Sequence, residues 1–152
     1  MIPGTLMRNI MSDIKVELCD EFDRNFTRKA FFNKKWVPPK KPKRRGSLLI
    51  TTGAMRRSIC ATIRGHSLCF SSAKPYTALH NSGGVFSQRV REHSRTHRKS
   101  KKSYTVRGHT RNANMPQRQF IGDSPEVQTA IKAIISENLY DYFNDLATQI
   151  RK

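Results

Sequence analysis

Two stretches at opposite ends of the sequence carry apolar residues in steps of three and four, and they limit the possible folds more than any other feature. In the first, Met7, Ile10, Met11, Ile14, Leu18, Phe22 and Phe26 fall on one helical stripe, which predicts a long amphipathic helix over 6–32. In the second, Val127, Ile131, Ile134, Ile135, Leu139, Tyr142, Phe143, Leu146 and Ile150 repeat the spacing and predict a helix over 123–152. Its start is well marked. Ser124 suits the N-cap, Pro125 the first helical position, and Glu126 complements the positive end of the helix dipole.

Between these stretches the period changes to two. Ile59, Ala61 and Ile63 alternate with Cys60, Thr62 and Arg64, and a Gly-His-Ser turn leads into Leu68, Cys69 and Phe70, so 58–72 reads as a β-hairpin. Thr52 is placed to cap a short helical turn bearing Met55 and Arg56. Residues 75–84 read as one or two helical turns, opened by a proline and closed by two glycines. Two long helices bracketing a small antiparallel sheet make an α+β layout, with the helices covering one face of the sheet. A chain of 152 residues is long enough for one domain with a real core and too short to expect two domains. The expected organisation is a single domain over 1–152: helix 6–32, a basic proline-rich linker or arm 34–47, a β-sheet region 48–122 that includes a basic hairpin 85–111, and helix 123–152.

Charge separates the segments further. The formal charge is +18, yet residues 1–33 hold five basic and five acidic residues, and 123–152 hold five acidic and three basic. The excess comes from 34–45, with seven basic and no acidic residues, and from 85–118, with ten basic and one acidic. Segments like these seek polyanions or acidic protein faces. In the first, three prolines within five residues forbid a helix, leaving a solvated loop or a polyanion-contacting arm.

The second segment spells one phrase twice, VREHSR at 90–95 and VRGHTR at 106–111. Val85 to His93 and Tyr104 to His109 have strand composition and the residues between are polar, so a long hairpin with a basic tip is expected. Period-two alternation places Arg91, His93 and Arg95 on one face and Arg107, His109 and Arg111 on one face of the return strand, two matched cationic strips. Contacts to a polyanion or acidic partner are therefore expected from Arg91, His93, Arg95, Arg98, Lys99, Lys101, Lys102, Arg107, His109 and Arg111, with Lys40, Lys41, Lys43, Arg44 and Arg45 of the arm. Stacking rings beside them are few, Phe86 and Tyr104, which suits phosphate contact over base reading.

Chemistry is disfavoured. A nuclease needs metal-binding acids, and the basic region offers only Glu92. His93, His97 and His109 stand among cations that repel a metal ion, and His80 beside Asn81 has no nucleophile or carboxylate at a recognisable spacing. No cofactor and no small-molecule substrate are expected. Cys19, Cys60 and Cys69 are unpaired in number and read as small buried residues. No apolar run reaches the roughly 20 residues of a membrane span, and no signal peptide is discernible, so a reducing cytoplasm is the expected setting.

Four motifs in order, LLITTGAMRRSI, PYTALHNSGG, the doubled phrase, and MPQRQFIG before the last helix, resemble the virion morphogenesis, or tail completion, proteins of Mu-like tailed phages. The similarity spans 26–150. It rests on Thr52, Gly53, Ser58 and Ile59, on Tyr76, His80 and Gly84, on Val90, His93, Arg95, Val106, His109 and Arg111, and on Pro116, Arg118 and Phe120. The lysine-rich tip departs from the pattern. The resemblance implies a non-enzymatic structural protein acting in head–tail joining or tail completion at the neck or head-proximal tail end, with itself in a ring, commonly sixfold, and neighbouring neck and tail proteins as partners. Packaged DNA is a further candidate partner expected for the hairpin, and the expected setting is the virion, after assembly in the host cytoplasm. Ile131, Ile135, Leu139, Tyr142 and Phe143 are then expected to pack subunits together. The competing reading is a cytosolic nucleic-acid-binding protein that uses the hairpin for sequence-independent phosphate contact.

Overall fold

A computed structural model of the protein describes residues 4–39 and 46–150. Helix α1 (Gly4–Arg28) buries Leu6, Ile10, Met11, Ile14, Leu18, Phe22 and Phe26, the stripe expected from the spacing with Leu6 in place of the half-buried Met7. The helix stops four residues short of Phe32. Lys29 and Phe32 adopt left-handed backbone (φ 56° and 49°), and the side chain of Asn25, fully buried, accepts a hydrogen bond from the Phe32 amide at 3.1 Å. The chain turns back there as a minimal hairpin, β1 (Ala30–Phe31) with β2 (Lys34–Lys35), which buries Ala30 and Phe31.

The short helix α2 (Ala54–Arg57) is entered through Gly53, whose φ of 72° favours a residue without Cβ. Gly53, not Thr52, therefore occupies the N-cap position. Thr52 Oγ1 receives only a long bond of 3.4 Å from the Ala54 amide. Strands β3 (Ile59–Arg64) and β4 (Ser67–Ser72) form the expected hairpin, closed by two residues, and α3 (Tyr76–Ser82) makes the expected two turns. The basic hairpin is longer than 85–111. Strand β5 (Gly84–Val90) pairs with β8 (His109–Met115), and beyond a break β6 (His93–Thr96) pairs with β7 (Ser103–Val106). Helix α4 (Pro125–Ile150) begins as expected, with Ser124 Oγ accepting from the Val127 amide at 3.3 Å.

The architecture is α+β, with long N- and C-terminal helices and small antiparallel sheets. Among the described residues the strands form four separate two-stranded ladders, each a local pairing, and α1 carries both cores. One is built from its apolar stripe with Phe31 and Val127, against which Leu68, Phe70 and the α4 stripe pack. The Phe22 and Phe70 rings meet edge to face at 5.0 Å. The other joins Phe26, Trp36, Met55 and Phe120, with the Phe26 and Phe120 centroids 4.9 Å apart. Burying such a ring contributes about 2–3 kcal/mol.

Candidate functional site

The doubled phrase has a simple geometric meaning. In the observed register Val90 stands opposite His109 and His93 opposite Val106. A three-residue spacing from valine to histidine, written once on each antiparallel strand, makes each valine face the other copy's histidine. The two copies are thus related by a local twofold axis. Residues 91–92 and 107–108 leave the ladder at the same level on both strands, so the register resumes without a shift. In each copy the histidine Nδ1 bonds the carbonyl two residues back, His93 to Arg91 at 2.8 Å and His109 to Arg107 at 2.9 Å. The same local bond thus marks the break in both copies.

The break also alters the expected strips. His93 and Arg95 share a face and are bonded, with Arg95 Nε donating to His93 Nε2 at 3.0 Å, and on the return strand Arg111 reaches across to Gln88 Oε1 at 2.7 and 3.0 Å. Arg91 and Arg107 lie within the break and belong to neither strip. The turn itself is compact. Ser94, Arg95 and Thr96 are paired, leaving His97 to Lys102 as the tip, which the His97 amide and carbonyl close through bonds to Lys102 and Lys101 at 2.8 and 2.9 Å. His93 is half-buried, and Arg91, Arg95, Arg98, Lys99, Lys101, Lys102, Arg107, His109 and Arg111 are exposed. Among the described residues no carboxylate pairs with any of them. Lys40, Lys41, Lys43, Arg44 and Arg45 lie outside the described residues.

The cysteines correct the sequence reading. Cys60 and Cys69 are exposed on one face of the β3–β4 hairpin and Cys19 is half-buried, because the alternation turns Ile59, Ala61, Leu68 and Phe70 inward and the cysteines out. Partial burial pushes the Cys19 thiol pKa up.

Ser58, Arg118 and Phe120, among the residues that carry the family likeness, sit in the scaffold. Segment 116–121 is held from two sides by asparagines that sequence reasoning missed. Asn81 Oδ1 accepts from the Phe120 and Ile121 amides at 2.9 and 3.0 Å, and its Nδ2 donates to the Ile121 carbonyl at 2.9 Å. Asn25 Nδ2 donates to the Phe120 carbonyl at 3.2 Å. Buried Arg118 donates to the Val37 carbonyl at 3.0 Å, and burial lowers its pKa. Gly83 (φ 68°) lets this segment approach, since a Cβ there would lie 2.7 Å from the Gln117 nitrogen. Ser58, Ser72 and Thr77 form a hydroxyl chain at 2.7 and 2.9 Å that ties α2, β4 and α3 together. No periodicity signals a buried asparagine, so neither Asn25 nor Asn81 stood out as a lock.

Helix α4 is unlike α1. Of its 26 residues only Val127 is buried. Ile131, Ile135, Leu139 and Tyr142 pack on the α1 core and remain half-buried, and Phe143 is 60% exposed. From Phe143 to Ile150 every residue is exposed, so the helix end projects past the core with Leu146 and Ile150 uncovered.

Taken together, these features describe a small α+β protein with an exposed cationic hairpin and a C-terminal helix whose end is left uncovered. Residues 5–140 match the phage virion morphogenesis family, and the chain belongs to that family. Membership points to a structural role in the making of a phage particle. No curated protein and no solved structure matches the chain. No helix among the described residues is long and apolar enough to cross a membrane.

Proposed function

We propose that the protein is a ring-forming structural subunit, with sixfold symmetry favoured, that acts in head–tail joining or tail completion at the neck or head-proximal end of the tail. The observation that supports this reading is the condition of α4. A 26-residue helix with one buried side chain, five half-buried ones on its stripe and an uncovered apolar end is left with surface to bury against a partner. The hairpin cations, unpaired among the described residues, then face neighbouring virion proteins or packaged DNA. The same cations motivate a second reading, sequence-independent nucleic-acid binding, which leaves the α4 face without a purpose. Native mass spectrometry of the nuclease-treated protein is expected to give a closed multimer. A phage lacking the protein is expected to accumulate full heads and tails unjoined, with joining restored when the chain is supplied in trans. A monomer at every concentration, or joined particles without the protein, would exclude the reading.

A further inference from the structure

We propose that the pocket between the Leu48–Leu49 turn, α2, α3 and Arg118 takes a carboxylate side chain of a neighbouring protein in the particle, with the Arg118 guanidinium as its seat. The pocket is a cavity of about 370 Å³. Ser47 and Ile50 bond each other's backbone at 2.7 and 3.1 Å, and the tight turn between them, with Leu49 in left-handed backbone (φ 61°), brings Leu48 and Leu49 to the wall. Met55 of α2 and Met115 of β8 add apolar surface, and Thr51, Thr52, Tyr76 and His80 add polar groups. Arg118 lines the same cavity and is only 7% exposed. Its amide bonds the His80 carbonyl at 2.9 Å and its Nε the Val37 carbonyl at 3.0 Å, which fixes the side chain in place. Nη1 meets only the Met115 sulfur, a weak acceptor at 4.0 Å, and Nη2 bonds no described residue.

A buried charge is ordinarily paired, and the side chains of this protein offer Arg118 no counter-charge. All 11 Asp and Glu residues lie among the described ones; their ion pairs are Glu21 with Arg24 and Arg28 and Asp23 with Arg56, and none reaches Arg118. Residues 40–45, which follow the pocket-lining Pro39, contain no acid. Burial accordingly lowers the Arg118 pKa with no opposing attraction. The counter-charge therefore comes from outside the chain, and the pocket selects its form. With Nε occupied, Nη1 and Nη2 are left as the two prongs that a carboxylate fits. The leucine and methionine walls suit an acidic side chain's aliphatic stem and an apolar neighbour. A duplex phosphate is one of a row of like charges on a stiff backbone, and it meets exposed cations such as those of the hairpin more readily than a buried guanidinium. No residue of α4 lines the pocket, so the inference stands whether or not the chain forms a ring.

The test follows the methyl signals of labelled methionine by NMR in the full-length protein, because Met55 and Met115 line the pocket whereas Met7 and Met11 of α1 do not. The probe N-acetyl-Leu-Glu-Leu-amide is expected to shift Met55 and Met115 and to leave Met7 and Met11 in place. Its glutamine counterpart is expected to bind at least about tenfold more weakly, the loss of a charge-assisted bond. Arg118→Lys keeps the charge without the fork and should weaken the glutamate probe by a similar factor. Because Arg118 also supports segment 116–121, a second variant leaves it intact. Thr52→Glu places a resident carboxylate at the pocket; it is expected to unfold at a higher temperature than Thr52→Gln and to abolish the probe's methionine shifts, which Thr52→Gln retains. Shifts absent with the glutamate probe, or equal with its glutamine counterpart, would overturn the inference. Inorganic phosphate binding more tightly than the probe would also overturn it, in favour of a phosphate seat. So would Met115 shifts that follow protein concentration with no probe added, which would give the pocket to a second copy of the chain.

Discussion

At the scale of single residues, the motif 116–121 behaves as a strap held by side chains from distant parts of the sequence. Asn81 satisfies two amides and one carbonyl of Phe120 and Ile121, so Asn81→Ala leaves three backbone groups without their partner at the edge of the Phe26–Phe120 core. Unsatisfied groups of this kind cost about 1–3 kcal/mol each, with partial rescue by water, and a loss of roughly 2–4 kcal/mol is expected in urea unfolding. A change below about 0.5 kcal/mol would show that the strap is held by apolar burial alone. Glu21 offers a second residue-scale test. Burial acts to raise its pKa, but hydrogen bonds and attraction from Arg28 and Arg24 outweigh burial and hold it below the usual carboxylate range. A depressed folded-state pKa stabilises the fold above the unfolded value near about 4.3, and the contribution disappears as pH falls through the folded value. Wild type should exceed Glu21→Gln in stability by about 1 kcal/mol at pH 7, given the exposure of both arginines, and the gap should close on acidification. A gap that widens toward pH 3 would contradict the assignment.

At the scale of elements, periodicity carried most of what could be known in advance. The α1 stripe, the β3–β4 hairpin, α3 and the capped start of α4 were all legible, because each is specified by local spacing and by turn or cap residues within a few positions. What escaped was decided at longer range. Asn25 reaches the Phe32 amide and the Phe120 carbonyl, so the end of α1 depends on a contact 95 residues away. The break in the basic hairpin coincides with histidine rings bonding carbonyls, which composition does not reveal. The cationic residues were legible as a group, but their division into strips and breaks was not. The α4 stripe was read correctly as a stripe, and only packing showed how little of it one copy buries. A paired substitution tests this element. Ile131→Asp places a carboxylate against the α1 core and should cost about 3 kcal/mol or leave the protein insoluble, while Lys132→Asp at an exposed position should stay within about 0.5 kcal/mol. Equal losses, followed by thermal unfolding, would mean that the helix presents a different face.

At the scale of the whole molecule, the distribution of charge sets what the hairpin can touch. Residues 85–118 hold ten basic and one acidic residue, a net +9, so six copies in a ring would present 6 × 9 = +54. Duplex DNA carries one charge per about 1.7 Å, and about 90 Å of it would be needed to match that total. Such a length exceeds what a thin ring encloses, so part of the charge is expected to face acidic surfaces of neighbouring virion proteins. Two measurements separate the shares. Binding of the purified protein to duplex DNA should be weak and without sequence preference, falling with salt at a slope of about −0.9 per phosphate contact. A footprint at one sequence that persists at high salt would contradict phosphate contact. For the protein share, residues 97–102 can be replaced by a two-residue Asn-Gly turn, because Thr96 and Ser103 already pair at the right register for a tight hairpin and no buried residue is removed. The shortened protein should unfold at the wild-type temperature and form the same multimer, since α4 is unaltered. In cells infected by a phage lacking the protein, it should nonetheless fail to restore stable head–tail joining. Full restoration, with the wild-type tip found mobile in finished particles, would reduce Arg98, Lys99, Lys101 and Lys102 to a solvated turn and move the site of contact down the hairpin to Arg91, Arg107 and the two histidines.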